Sequence, residues 1–169
     1  KELLNLKSKF KRNNSSLLDY TFGYCIGGNM QSDSSYINGI RRFYSNNYIQ
    51  RLGGTIKKTH GDFSSEKKEL LIAFRRLKAF FPREKTPKTI YFINSSFSAS
   101  VFSSEKEIAI GVERYLGSNV KVIKELPTNQ FYTWIKNGMK KEYLSRDVMA
   151  GWLMTHYCTE TSENYASEM

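Results

Sequence analysis

The chain has 169 residues, of which 40% are hydrophobic and 14% aromatic, and this composition suits one globular domain with a substantial core. No apolar run approaches the roughly 18 residues of a membrane-spanning helix, and residues 1–4 do not resemble a secretory leader, although a leader removed before Lys1 leaves export open. The formal net charge of +10 favours nucleic acid, anionic membranes or acidic proteins as partners, but the cations are dispersed in pairs, as is typical of a solvated face.

The N-terminal half of the chain predicts a series of short helices. Residues 1–14 are predicted to form a basic arm or lead-in helix. The serines at 15 and 16 then cap a helix that the glycines at 27 and 28 end. A third helix is predicted to begin at residues 33–35, with its apolar side chains at helical spacing. A fourth, over residues 47–52, is predicted to end at the glycines at 53 and 54.

The longest predicted helix covers residues 65–81. Asp62 or Ser64 caps its start, and Pro82 ends it because proline disfavours helical geometry in the residue before it. Leu71 and Ile72 are predicted to widen its apolar stripe. The stripe itself follows the i, i+4, i+7 and i+11 spacing of one helix face, through Leu70, Phe74, Leu77 and Phe81.

The hydrophobic period then changes to that of strands, over residues 89–93, 100–102 and 107–112, with a hairpin turn at 103–106. On the third strand, the small residues Ala109 and Gly111 occupy one face. Small side chains there favour close approach by another backbone or a bound peptide, and the alternative is a face packed under a helix.

Helices are predicted again in the C-terminal part of the chain. Pro127 begins a segment that carries Phe131, Trp134, Ile135 and Met139, and Ser145 begins a helix with an amphipathic stripe through Val148, Met149, Trp152, Leu153 and Tyr157. Residues 159–169 are polar and have no period. The fold class is therefore predicted to be α+β: residues 15–169 form one helix-rich domain around a small central three-stranded meander sheet.

The chain lacks the residue patterns of common catalytic sites. His60 and His156 lie 96 positions apart, so neither belongs to the H-E-x-x-H helix of a zinc hydrolase. No G-x-S-x-G elbow is present, and the acidic residues Glu66 and Glu69 fit an exposed helix face. The sequence thus predicts no catalytic residue, metal ligand or cofactor, with Cys25 and Cys158 either paired or separately buried.

Nucleic-acid binding is the alternative that the net charge suggests. It would need cations on phosphates and exposed aromatic rings for stacking. Most aromatic residues here fall on the apolar stripes of predicted helices, where core packing uses them, and no known module signature is present.

Several segments, taken in order, resemble one protein family. The run IAIGVERYLG at 108–117, the residues Phe80-Phe81-Pro82 leading into a strand at 90–93, and the spacing to the helix at Asp147 are similar to the GldB family of gliding-motility lipoproteins from Bacteroidetes. No single motif is diagnostic, and the order and spacing carry the resemblance.

The resemblance implies an exported lipoprotein, acylated upstream of Lys1, facing the periplasm and acting with protein partners in gliding motility and type IX secretion. It also implies that the chain is the first part of a longer protein with an architecture similar to zincin metallopeptidases. In that architecture, residues 107–112 would border the substrate cleft, and any zinc-binding helix would follow Met169. The resemblance implies that the family does not keep the zinc ligands there and acts without catalysis. An active zinc peptidase with ligands beyond residue 169 is the first alternative, and nucleic-acid binding is the second.

These implications give a hypothesis for the functional residues. The strand at 108–112 is predicted to be an edge that docks a protein segment by strand addition, through Ile108, Ala109, Ile110, Gly111 and Val112. The family motif residues Glu113, Tyr115, Leu116 and Gly117 would fix the turn that follows, with Gly117 at a positive φ and Asp147 on the later helix. The alternative is a motif kept only for its turn and packing. Residues 7–12 are predicted to face anionic lipid.

Overall fold

The computed structural model describes residues 2–11 and 16–157. The helices are α1 (Glu2–Lys11), α2 (Ser16–Ile26), α3 (Asp33–Ser45), α4 (Asn47–His60), α5 (Ser64–Phe80), α6 (Lys121–Lys124), α7 (Thr133–Asn137) and α8 (Leu144–Tyr157). The strands are β1 (Thr89–Ile93), β2 (Val101–Ser103) and β3 (Glu107–Gly111), and short 3-10 helices cover Val112–Tyr115 and Lys141–Tyr143. The predicted α+β class is confirmed. No helix among these residues is long and apolar enough to cross a membrane.

Most of the predicted helix ends are confirmed. Gly27 ends α2 with a φ of +72°, and Ser32 caps α3 by accepting a hydrogen bond from the Ser35 N–H. Asp62 accepts the Ser64 N–H at 3.0 Å at the start of α5, which ends before Pro82 as predicted. Cys158 and residues 159–169 lie outside the described residues, as does any pairing of Cys158 with Cys25.

The predicted end of α4 at Gly53 is wrong, because the helix continues to His60. Ile49, Leu52 and Ile56 are buried at helical spacing on both sides of the two glycines. Their burial against the core outweighs the roughly 1 kcal/mol by which each interior glycine weakens a helix.

The three strands form a mixed sheet in the order β1-β3-β2. β1 runs parallel to β3, with Ile90 opposite Ile108, and β2 runs antiparallel to β3, with Val101 opposite Ile110. The predicted meander is therefore wrong, since a meander places each strand beside the next strand in sequence. The hairpin between β2 and β3 is confirmed.

The strand predicted to be a docking edge is the centre of the sheet. β3 pairs with β1 on one side and with β2 on the other, so its backbone cannot accept a further strand. The edge position predicted for residues 108–112 is therefore wrong. Alternation along a strand indicates which faces are apolar, but not which strand lies between the others. All five side-chain positions are buried: Ile108, Ala109, Ile110, Gly111 and Val112.

Helices cover both faces of the sheet. On the face that carries Ala109, the Tyr20 and Tyr24 rings of α2 contact Phe102 at centroid distances of 6.3 and 6.0 Å. On the other face, α8 packs against α5 and β2, and Trp152 lies 6.0 Å from Phe74. The main core lies on this second face and includes buried residues of α4, α5 and α8 together with Ile108 and Ile110 of β3.

Several side chains differ from their predicted exposure. Leu71, Ile72 and Phe81 are exposed, so the buried stripe of α5 is narrower than the sequence indicates. Trp134 is also exposed, because α7 is only a short helix at the surface. Lys7 was predicted to face lipid, but it is buried where its ammonium group pairs with Asp33.

Candidate docking groove

The predicted motif residues lie together, and Glu113 is their centre. Its carboxylate is buried, and Oε1 accepts the N–H groups of Ser95 and Phe97 at 3.0 and 2.8 Å as well as the Ser95 hydroxyl. These bonds hold Ser96 and Phe97 at positive φ values of 52° and 64°. Burial raises the pKa of Glu113 above its ordinary value. Glu113 therefore fixes the loop at residues 94–100.

The remaining motif residues join this turn to α8. The Tyr115 hydroxyl donates to Asp147 at 3.1 Å, and burial, with the Asp147 charge second, raises the pKa of Tyr115. Leu116 is buried, and Gly117 has a φ of +99°, as predicted, with its N–H donating to Met139 O at 2.8 Å. These contacts fix the turn after β3.

The close approach predicted at the small residues of β3 is made by the protein itself. A Cβ on Gly111 would lie 2.2 Å from Ala99 O and 2.7 Å from the Ser95 hydroxyl. Both atoms belong to the loop that Glu113 holds. Gly111 therefore admits this loop and leaves no space for a bound peptide.

Two accessible cavities lie elsewhere, along β1, which is an edge strand of the sheet. A cleft of about 560 Å³ lies between β1, α2 and α3, and a second of about 510 Å³ lies between β1 and α5. Lys67, Ile90 and Phe92 line both clefts. We call the two clefts together the β1 groove. None of the residues predicted for the motif or for the docking strand lines it.

The β1 groove is apolar and basic. Its α5 side presents Leu70, Leu71 and Phe74 together with the cations Lys67, Arg75 and Lys78. Lys67 and Lys78 donate to the backbone carbonyls of Asp62 and Pro82 at 2.9 and 3.1 Å. Within residues 2–11 and 16–157, none of the three cations forms an ion pair with a carboxylate, and no acidic residue lines either cleft. The groove therefore suits an apolar segment that carries negative charge.

Cys25 lines the cleft on the α2 side. Burial raises the pKa of this thiol to about 11, and the Glu113 charge adds to the increase. A hydrogen bond with Ser98 lowers the pKa, but it does not offset the effect of burial. The thiol is protonated at neutral pH, so Cys25 behaves there as an apolar side chain.

A buried polar cluster supports the groove from beneath. Glu66, predicted to be exposed, is buried and accepts Lys141 Nζ at 2.8 Å beside His60 Nδ1 at 2.7 Å. Phe63 stacks between His60 and Phe92 of the groove, at centroid distances of 5.4 and 4.5 Å. The sequence gives little indication of this cluster, because nothing in the local pattern of α5 distinguishes the buried Glu66 from the exposed Glu69.

The other histidine is a half-buried helix residue, as predicted. His156 Nδ1 lies 2.8 Å from the Trp152 carbonyl one turn earlier in α8. Across the described part of the chain, no three His, Cys, Asp or Glu side chains are grouped so that they could hold a metal ion.

Comparison with protein families shows which family the chain matches. The family described as gliding motility protein GldB matches residues 1–169. This range includes the strands, the turn at Gly117 and the helix at Asp147 on which the sequence resemblance depends. No curated protein and no solved structure matches the chain.

Proposed function

This chain belongs to the GldB family of gliding motility lipoproteins, and from that membership we propose that it supports gliding by docking a protein segment without catalysis. The observation that carries the proposal is the β1 groove, in which an edge strand lies between two apolar clefts of about 560 and 510 Å³. An edge strand can accept an added strand, and flanking clefts can receive its alternating side chains.

The charges of the groove define the kind of segment it would accept. Three cations line the α5 side, and neither cleft has an acidic lining residue. An extended segment with alternating apolar residues and one or more carboxylates would complement both properties. Main-chain hydrogen bonds would supply register, and the apolar clefts would supply selectivity for side-chain size.

The remaining parts of the proposal follow from the family. We place the domain in the periplasm, tethered through a lipid upstream of Lys1, where its partners belong to the gliding and type IX secretion machinery. We also propose a zincin-like scaffold whose groove binds an extended segment without cleaving it. The strand that borders the cleft is then β1 rather than β3.

Two adjacent residues of α5 provide a matched test. Leu71 and Ile72 are 51% and 40% exposed, but only Leu71 lines the groove. Leu71→Glu should abolish cell gliding on agar, because it places a carboxylate in the cleft, and Ile72→Glu should leave gliding intact. Each variant is expected to change stability by less than about 0.5 kcal/mol, since both positions are exposed.

The test uses the full-length protein in cells, with its level checked by immunoblot and its folding checked by urea denaturation. Equal gliding by both variants at normal protein levels would contradict docking in the groove. Zinc-dependent cleavage of a fluorescent peptide library, lost in Leu71→Glu, would instead contradict the non-catalytic part of the proposal.

A further inference from the structure

Two adjacent aromatic side chains project from the end of α5. Phe80 and Phe81 are 79% and 59% exposed, although the second belongs to the apolar stripe that the sequence predicts to be buried. Large apolar side chains that are exposed at consecutive positions, rather than singly, are typical of an interaction surface. We call Phe80, Phe81 and the connection at residues 82–88 the α5 tip.

The α5 tip is held in a fixed shape. The Phe81 N–H donates to Leu77 O at 2.8 Å, and the Glu84 N–H donates to Phe81 O at 3.0 Å. The indole N–H of Trp152, which is buried in the core, donates to Lys85 O at 3.1 Å. The exposed rings therefore stand on a turn that is joined to α8, and their exposure is built into the fold.

Cations flank the two phenylalanines in the sequence. Glu84 is the one acidic residue between positions 76 and 88, and it hydrogen-bonds Tyr157. No carboxylate of the described residues forms an ion pair with the cations of this segment. All five of these cations are exposed: Arg76, Lys78, Arg83, Lys85 and Lys88.

From this arrangement we propose that the α5 tip inserts Phe80 and Phe81 into the interface of an anionic lipid bilayer, with the surrounding cations on the headgroup phosphates. An apolar centre with a cationic rim matches the two layers of that interface, in which aromatic rings lie at the acyl boundary and Lys or Arg lie at the phosphates. Single-stranded nucleic acid would need aromatic rings spaced along a basic channel, whereas these two rings occupy consecutive positions at the end of one helix.

The cations and the phenylalanine rings contribute to membrane affinity in ways that can be measured separately. Each cation near an anionic surface strengthens binding by about fivefold, and this gain falls with salt. Partial burial of each phenylalanine ring adds about tenfold and does not depend on headgroup charge. We therefore expect vesicle binding by the α5 tip to require both anionic lipid and the two phenylalanine rings.

The experiment is vesicle sedimentation of the full chain with phosphatidylglycerol–phosphatidylethanolamine vesicles and with pure phosphatidylcholine vesicles. The double variant Phe80→Ser and Phe81→Ser should bind the anionic vesicles at least tenfold more weakly than wild type. Trp134→Ser is the matched control, since Trp134 is 73% exposed on α7 and should leave binding unchanged. A Phe81→Trp variant should show a blue-shifted emission that brominated lipid quenches.

The cation rim has its own test and control. The double variant Arg83→Gln and Lys85→Gln should weaken binding about tenfold or more, whereas changing the exposed pair Lys57 and Lys58 of α4 to Gln should weaken it less. Wild-type binding by the phenylalanine variant would overturn the proposal. So would equal affinity for phosphatidylcholine, or retention of single-stranded DNA but not of vesicles in a filter assay.

Discussion

Replacing Glu113 by alanine should release the loop at residues 94–100 and lower the free energy of unfolding. The carboxylate accepts the N–H groups of Ser95 and Phe97 and the Ser95 hydroxyl, all in a buried setting. A buried donor without a partner costs about 1–3 kcal/mol. Two such backbone donors give an expected loss of about 2–6 kcal/mol, a large part of the stability of a domain of this size.

The variant Glu113→Gln separates the effect of losing the hydrogen-bond acceptor from the effect of losing the carboxylate charge. Glutamine retains a carbonyl oxygen where Oε1 accepts, and burial already raises the pKa of Glu113, which favours a neutral side chain at this position. The expected loss for this variant is therefore smaller, about 1–2 kcal/mol.

The assay is urea denaturation at pH 7 combined with amide hydrogen exchange. In the alanine variant, the amides of Ser95 and Phe97 should lose protection before the amides of β3 do. Glu69→Ala, on the exposed face of α5, is the control and should change stability by less than about 0.5 kcal/mol. An alanine variant that unfolds at the same urea concentration as wild type would refute this role for Glu113.

Two further predictions concern stability. Gly53→Ala and Gly54→Ala should each stabilise the protein by about 0.5–1 kcal/mol in thermal unfolding, because among the described residues no atom outside the local helix backbone lies within 4 Å of the added Cβ atoms. Gly111→Ala, whose Cβ would meet a carbonyl oxygen at 2.2 Å, should destabilise the protein. Burial would raise the pKa of Glu66, but hydrogen bonds from Lys141 and His60 outweigh it and lower that pKa. The ionised Glu66 should therefore stabilise the protein above its unfolded pKa of about 4.3, and this stabilisation should be lost as pH falls through the folded pKa. Below about pH 5, the urea midpoint of Glu66→Gln should consequently fall less steeply with pH than the midpoint of wild type. Parallel pH profiles for the two proteins would contradict the assignment.

Physical signals along the chain identified most elements correctly. The stripe through Leu70, Phe74 and Leu77 predicted α5, and the change of period predicted the strands, because each signal arises within a few residues. The positive φ of Gly117 was also predicted, since only its local turn demands it. The end of α4 was wrong because the propensity of glycine is local, whereas the burial of Ile56 is decided by distant residues.

The sequence by itself determined the α+β class, the family and the turn that follows β3, because these depend on local spacing and on the order of motifs. Only the tertiary structure decided which strand is at an edge, and it moved the candidate site from residues 108–112 to the groove along β1. It also decided that Glu66 is buried and that Phe80 and Phe81 are exposed. Strand order and burial depend on contacts between residues far apart in sequence, and no period along the chain encodes which distant segment covers a given face.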